Sequence, residues 1–170
     1  MEPDNFTSKL LVLLKQRREI DLAIAKLVAE STEGVRFNEK KFVGDLDEYY
    51  FSQNTPACLK LTQSITSNDD FDFKGELTDE GSAIFGLPSG DVRIEVKTRH
   101  AQKGNNHLFG LNPEKFDLLA FVALADDFSC RHIGMIRSID ITVDRQKRIR
   151  YSDYYRKGLV TWKTTDWVEL

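Results

Sequence analysis

Apolar residues recur along the chain at two periods, one typical of helices and one typical of strands. Over residues 7–31, leucine, isoleucine and valine return near every third or fourth position, which predicts a long N-terminal helix. A second helix is predicted over residues 38–53, where the apolar stripe is formed by Phe42, Leu46 and Tyr49 or Tyr50. We expect each helix to pack one face against a core.

Alternation of apolar and polar residues predicts strands in the middle of the chain. Residues 59–65 and 71–77 fit this pattern, and residues 92–98 fit it best. In the last of these segments, one face carries Val92, Ile94, Val96 and Thr98, and the other carries Arg93, Glu95, Lys97 and Arg99. One face should therefore lie in the core while the opposite face is charged.

The second half of the chain begins with loops and continues with a hairpin. Residues 78–90 and 100–113 have the composition of loops, and residues 113–116 are compatible with one helical turn. Residues 118–125 are apolar without interruption, which predicts a strand buried on both faces, and residues 132–136 should return as its hairpin partner. Beyond residue 138 the pattern predicts only short elements.

Together these elements predict an α/β fold with a central mixed β-sheet flanked by helices. A length of 170 residues suits one domain with a real core. We divide that domain into an N-terminal helical segment (residues 1–37), a core that holds the candidate chemistry (residues 38–137) and a C-terminal extension (residues 138–170).

Composition argues against membrane insertion and against a disulfide framework. No apolar stretch approaches the roughly 20 residues needed to cross a bilayer, and the acidic N-terminus lacks a basic leader. We therefore expect a cytoplasmic protein with no membrane partner. Cys58 and Cys130 have no CxxC spacing and no nearby histidine cluster, so we expect two reduced thiols that pack as small apolar groups.

The charge of the chain is unevenly distributed around a net value of −3. Residues 39–91 contain 11 acidic and 4 basic side chains, whereas residues 93–170 contain 14 basic and 10 acidic ones. An acidic half is suited to hold a metal ion and a basic half to hold phosphate. Chance variation of solvated surface charge explains the same numbers equally well.

Glu95 and Lys97 are the first candidates for chemistry. Two positions apart on a strand, their side chains leave the same face about 6.6 Å apart, since a strand rises roughly 3.3 Å per residue. A hard cation such as Mg²⁺ prefers oxygen ligands and needs a second carboxylate near Glu95. Asp72 is suited to supply it from the neighbouring strand, with Asp69 and Asp70 as alternatives, and the backbone carbonyl of Val96 is a further ligand.

Such a site is suited to hydrolysis of a phosphodiester. The reaction needs a hydroxide near neutral pH and neutralisation of charge on the phosphate, and a metal ion held by Asp72 and Glu95 would meet both needs. Lys97 would orient the water, help to deprotonate it and stabilise the developing negative charge. An E-x-K pattern alone is also how an ordinary solvent-facing strand looks, so the hypothesis depends on the acidic residue upstream.

These residues resemble a known family. The run FDF at residues 71–73, followed by a loop and RIEVKTRH at residues 93–100, resembles the PD-(D/E)XK nuclease superfamily, which includes many type II restriction endonucleases, resolvases and repair nucleases. Asp72 matches the first acidic position of the motif, Glu95 the second and Lys97 the lysine. The proline that gives the motif its name is missing before Asp72.

The resemblance extends over about residues 38–136. Many members carry a glutamate on the helix before the first core strand, and Gly44 to Tyr50 is similar to that segment, which implies Glu48 as an auxiliary metal or water ligand. The later runs KFDLLAFVALADD and RHIGMI resemble the strand pair that follows the motif in restriction enzymes.

What the resemblance implies is a restriction-endonuclease-like core that hydrolyses double-stranded DNA with Mg²⁺, or with Mn²⁺ as a substitute. A sequence-specific type II restriction endonuclease is the first expectation. One site per chain and two strands to cut favour a homodimer, with the N-terminal helix as its candidate interface. The alternatives are a repair or junction-resolving nuclease, a non-catalytic DNA-binding module of the same fold, and a protein-interaction domain.

Two polar segments are candidates for DNA contact. Arginine, asparagine and glutamine address base edges, and lysine and arginine address phosphates. The first segment follows Lys97 and the second is a basic cluster near the C-terminus; both are equally compatible with ordinary solvated surface. The candidates are Arg99, His100, Gln102, Lys103, Asn105, Asn106, Arg145, Lys147 and Arg148.

Overall fold

Six strands form one mixed β-sheet at the centre of the protein. The computed structural model describes residues 5–30, 40–64, 71–100 and 107–166. In spatial order the strands are β1 (Leu59–Ser64), β2 (Phe73–Leu77), β3 (Gly90–His100), β5 (Leu118–Leu124), β6 (Cys130–Arg137) and β8 (Val160–Lys163). A second, two-stranded sheet pairs β4 (His107–Leu108) with β7 (Ile149–Arg150).

Four α-helices accompany the strands. They are α1 (Asn5–Glu30), α2 (Lys40–Gln53), α3 (Asp79–Phe85) and α4 (Tyr151–Arg156), and a short 3-10 helix spans Ser138–Asp140. The first two lie where the apolar periodicity predicts helices. The described part of the chain contains no helix that is both long enough and apolar enough to span a bilayer.

β5 lies at the middle of the fold. It runs parallel to β3, and this is the parallel pair of the large sheet. The other neighbouring strands of that sheet, including β5 and β6, run antiparallel. All seven of its residues are buried, which confirms the predicted strand with two covered faces. A mixed sheet with helices packed on it confirms the α/β class.

The sheet separates two apolar cores. On one face, α2 contributes Leu46 and Phe51, which pack with Ile94 and Val96 of β3. On the other face, α4 and the β4–β7 pair contribute to a second core that includes Phe121 and Tyr151. β3 therefore turns Ile94 and Val96 into the first core, and the side chains between them face the second side of the sheet.

Three local predictions were wrong. Residues 107–108 were expected in a loop but form β4, which pairs with β7. Residues 79–85 were expected in a loop but form α3, which begins after an N-cap at Thr78, whose hydroxyl accepts from the Gly81 amide at 3.2 Å. Gly86 ends the helix with φ of 60°, a left-handed conformation that glycine adopts without strain. Residues 113–116 form no helical turn; Lys115 N donates to Asn112 O in an isolated turn.

The C-terminal residues are held to the sheet through the buried His132. Its Nδ1 lies 2.9 Å from the carbonyl oxygen of Thr165, and its Nε2 lies 2.7 Å from the hydroxyl of Tyr151. Because a carbonyl only accepts, Nδ1 carries the proton and Nε2 accepts from the tyrosine. His132 is thus a neutral, hydrogen-bonded core residue, and residues 138–166 contribute both a strand and a core layer.

Candidate active site

Pairing between β2 and β3 places Asp72 beside the backbone of β3. Phe73 faces Ile94 in the antiparallel register, and just before it Asp72 N donates to the carbonyl oxygen of Ile94 at 2.9 Å. The carboxylate of Asp72 bends back along β3, where its Oδ2 accepts from Val96 N at 2.7 Å. The acid therefore lies at the residue between Glu95 and Lys97.

Glu95 and Lys97 contact each other on the face of β3 that looks toward the second core. The ammonium of Lys97 forms an ion pair with Oε1 of Glu95, and their side chains are 32% and 12% exposed, respectively. The charge of Lys97 also reaches Asp72, since it lowers the pKa of that carboxyl. The two acids and the lysine named from the sequence thus share one cluster.

Burial dominates the electrostatics of Asp72. Loss of solvent raises the pKa of its carboxyl above the usual range, while the Val96 amide and the Lys97 ammonium act in the opposite direction. A desolvated carboxylate gains most from a cation placed against it, because water no longer screens their attraction.

Two acids of α2 lie on the helix side of the sheet, the side opposite to the face of β3 that carries Glu95 and Lys97. Glu48 is half-buried, and the neighbouring Asp47 is only 4% exposed. Burial raises the pKa of Asp47 to about 7; the Thr98 hydroxyl and the Glu48 amide lower it, and the charges of Glu48 and Asp72 raise it further. Since those two charges act at Asp47, the acids of α2 lie near the end of β2.

The sequence analysis did not single out Asp47. A signal was present, because Asp47 precedes Phe51 by four residues and so shares the buried face of α2. A carboxyl on the buried face of a helix needs a polar partner, and here the Glu48 amide donates to its Oδ1 at 2.7 Å.

The donors at this site suit Mg²⁺ by their chemistry. Among the described residues, no group of three or more His, Cys, Asp and Glu side chains is arranged to hold a metal ion. Mg²⁺ is commonly held by one or two carboxylates and keeps several waters, so Asp72 and Glu95 are a sufficient protein set. Both are hard oxygen donors with little access to solvent, and a cation between them would offset their desolvation.

The carbonyl of Val96 faces the same side as Asp72. In an extended strand the N–H and C=O of one residue point toward the same neighbour. The Val96 amide donates to Asp72, so the Val96 carbonyl also points to this edge of β3. The direction of this carbonyl is compatible with the backbone ligand that the sequence suggested.

Arg99 continues the charged face of β3 beyond Lys97. Its Nε donates to the carbonyl oxygen of His107, and its guanidinium lies over the ring of Phe109, 5.0 Å from the centroid. Burial lowers the pKa of Arg99. His100 ends β3, and its side chain lies outside the described residues, as do Gln102, Lys103, Asn105 and Asn106.

The C-terminal basic cluster lies on the turn before β7. Arg145 and Lys147 are exposed, and Arg148 is half-buried in an ion pair with Asp144. A groove of about 360 Å³ adjoins the turn. Its acids Asp140, Asp144 and Asp153 are bound by Arg137, Arg148 and Arg156, so their negative charge is already compensated.

No protein-family model matches this chain. No curated protein matches its sequence either. The function is therefore proposed from the chain's own residues.

Proposed function

We propose that the protein is a Mg²⁺-dependent endonuclease that hydrolyses phosphodiester bonds of double-stranded DNA. The fold we propose for residues 38–137 is restriction-endonuclease-like, with β2 and β3 as the strands that carry the reacting groups. A sequence-specific type II restriction endonuclease is the activity that we favour within this class.

One observation carries the proposal. The hydrogen bond from Val96 N to the carboxylate of Asp72 brings an upstream acid to the strand residue that separates Glu95 from Lys97. At that point the desolvated carboxylate also lies within the electrostatic reach of Lys97, whose charge lowers its pKa. The acid, acid and lysine named by the motif are therefore one spatial group and not only a sequence pattern.

The chemistry follows from the groups present. When bound, Mg²⁺ supplies charge neutralisation at the phosphate and lowers the pKa of an attacking water. Asp72 and Glu95 would hold it through carboxylate oxygens, and Val96 through its carbonyl. Lys97 would orient the water and stabilise negative charge on the phosphate as one P–O bond forms and another breaks. Glu48 would add an outer carboxylate from α2.

The test is cleavage of DNA by purified wild-type protein and three variants. Supercoiled plasmid and a mixture of linear duplexes are incubated with Mg²⁺ or with EDTA. Lys97→Ala, Glu95→Gln and Asp72→Asn should each lower the cleavage rate by about 100-fold or more, since each removes charge needed in the transition state. Discrete fragments would also identify a recognition site.

Matched controls distinguish the loss of a site residue from the loss of any charged side chain on the sheet. Lys60→Ala on β1 and Glu76→Gln on β2 change exposed side chains of the same types on neighbouring strands and should cut as the wild type does. Absence of Mg²⁺-dependent cleavage of duplex, single-stranded and branched DNA would refute the proposal. Salt-dependent DNA binding without any cleavage would instead indicate a non-catalytic DNA-binding module.

A homodimer is part of the proposal, with α1 as its interface. α1 packs on the first core through Leu11 and Leu14, and elsewhere on its surface Leu13 is 61% and Ile20 is 60% exposed. These two residues are seven apart and so lie on one face of the helix, where a second copy of α1 would cover them. Two such sites facing a palindromic duplex would cut both strands.

The oligomeric state tests this interface directly. Leu13→Glu with Ile20→Glu should convert a dimer into a monomer in sedimentation velocity and should uncouple cutting of the two strands. Ile84→Glu, at an exposed position of α3, is the matched control and should leave the dimer intact. If the wild-type protein is a monomer at micromolar concentration in the presence of DNA, the dimer is wrong and the proposed nuclease chemistry is unaffected.

A further inference from the structure

Phe109 is an aromatic side chain in an unusual position. Among the aromatic residues whose side chains the structure describes, it is the one that is exposed, at 47%. It follows β4 directly and lies next to Gly110, which has φ of 71°. A Cβ placed on Gly110 would meet nothing within 4 Å outside its two chain neighbours.

One side of this ring is fixed by the protein. The Arg99 guanidinium lies over it at 5.0 Å from the centroid, and Arg99 is itself anchored by its Nε on the carbonyl of His107. The His107 ring lies 6.2 Å from that of Phe109, centroid to centroid. The ring is therefore held from one side, and about half of its surface remains accessible.

The ring also lies close to the candidate reaction centre. Arg99 is two residues beyond Lys97 on the same face of β3, which is about 6.6 Å along the strand. Stacked nucleotides are spaced about 3.4 Å apart along one strand of a duplex. A DNA strand with its reacting phosphate at Lys97 would thus bring a base to Phe109 within about two or three nucleotides.

We propose that Phe109, backed by Arg99, is a stacking platform for an unpaired base of the substrate strand, two or three nucleotides from the reacting phosphate. This inference rests on the proposed function and specifies its substrate: duplex DNA in which a base beside the cut is unpaired or turned out of the helix. A partly exposed flat ring with a cation behind it suits a nucleobase, because every base presents a π-face.

A nucleobase fits this surface better than a protein partner does. Phe109 is a single exposed ring with the charged Arg99 and the polar His107 as its neighbours, whereas protein interfaces bury a broad apolar patch around their aromatic residues. Stacking needs only the ring, and an aromatic wedge of this kind is a known means of holding DNA bases out of the helix.

The experiment measures DNA binding in a protein that does not cut. Lys97→Ala protein is titrated into two fluorescein-labelled 20-mer duplexes, one fully paired and one with a three-nucleotide internal bubble, and fluorescence anisotropy gives each Kd. Adding Phe109→Ala or Phe109→Leu should weaken binding of the bubble duplex by about 5- to 100-fold. The Kd of the paired duplex should differ from that of the Lys97→Ala parent by less than about twofold.

Two further variants sharpen the result. Phe109→Tyr keeps the ring and should bind the bubble as the parent does, and Ile84→Ala removes another exposed apolar side chain and should change neither Kd. A 2-aminopurine placed in the bubble should be quenched by the parent but not by Phe109→Leu, which keeps apolar volume without a π-face.

The outcomes separate this inference from the nuclease proposal. Equal losses on both duplexes, unchanged binding of the bubble, or no DNA binding at all would overturn the platform. If the wild type cuts DNA while Phe109→Ala leaves bubble binding intact, the platform is wrong and the nuclease stands. A selective loss on the bubble in a protein that never cuts supports the platform and refutes the nuclease.

Discussion

Gly134 shows how one residue without a side chain can determine a local arrangement. The hydroxyl of Tyr151 occupies the space where a Cβ of residue 134 would lie, at 1.8 Å, and Nε2 of His132 is 2.8 Å from the same point. Tyr151 is fully buried and stacks on Phe121 with 4.0 Å between ring centroids, so the tyrosine has nowhere to move. The glycine therefore permits the hydrogen bond between Tyr151 and His132.

Gly134→Ala should destabilise the protein by roughly 2–4 kcal/mol, because a methyl group would both overpack the core and displace the buried hydrogen bond. Urea unfolding gives the free energy. The Tyr151→Phe variant lacks the obstructing oxygen. Adding Gly134→Ala to that variant should therefore cost less stability than adding it to the wild type. Strictly additive effects of the two changes would show that the contact is not the cause.

At the scale of elements, the strands were predictable because each is read from its own residues. Alternation located β2 and β3 to within a few residues, and the unbroken apolar run located β5. α3 was missed because Gly81 and Gly86 suggested a loop. One of these glycines packs against the carbonyl oxygen of Cys58, where a Cβ would lie only 2.6 Å away, and the other ends the helix.

The cap of α3 carried the signal that was overlooked. Thr78 is followed by Asp79 and Glu80 in the first turn, an arrangement that favours a helix N-terminus. Thr78→Ala should therefore cost about 1 kcal/mol of stability, while Thr78→Ser, which keeps the hydroxyl, should cost little. Thermal unfolding of the three proteins measures this, and equal melting temperatures for Ala and wild type would show that the cap contributes nothing.

Some residues of the candidate site could be predicted from the sequence and others could not. Asp72, Glu95 and Lys97 could be named from the sequence because Asp72 directly precedes β2, which pairs with β3, the strand that carries Glu95 and Lys97. Asp47 could not, because its position beside Thr98 depends on how α2 packs across the sheet. The pairing of β4 with β7 joins residues about forty positions apart, and two-residue strands leave no periodicity to read.

For the whole molecule, the hydrogen bonds of His132 join the sheet to the C-terminal residues. Its ring contacts Thr165 and Tyr151, and Thr164 N donates to the carbonyl oxygen of Ile133 at 2.9 Å. Burial lowers the pKa of His132 to about 4, below its ordinary value of 6.5. Protonation of this ring is therefore coupled to opening of the structure.

The sign of the pH dependence follows from that pKa. Between about pH 6.5 and pH 4 the unfolded chain binds a proton at His132 and the folded chain does not, so acid favours unfolding. This contribution reaches at most about 1.4 kcal/mol per pH unit. Asp47 contributes in the opposite direction, because its pKa is raised from 3.8 to about 7. Between these two pH values the folded chain binds a proton at Asp47 and the unfolded chain does not, so this contribution to the free energy of unfolding falls as the pH rises.

Comparison of wild type with His132→Gln isolates the histidine. The variant should be less stable at pH 7, since it loses packing and at least one buried hydrogen bond. The difference in unfolding free energy between the two proteins should shrink as the pH falls from 7 to 4.5, because only the wild type loses stability at His132. A difference that stays constant over that range would show that His132 does not titrate between the two states.

β8 has a consequence for the chain during its synthesis. It covers the outer edge of β6, with Gly134 opposite Lys163 and Met135 opposite Trp162. About 26 residues separate the end of β6 from the end of β8, which is about one to five seconds of translation. During that interval the nascent chain exposes an unpaired, largely apolar strand edge that can recruit another chain and aggregate. The charged Arg131 and Arg137 at either end of the strand are then its gatekeepers.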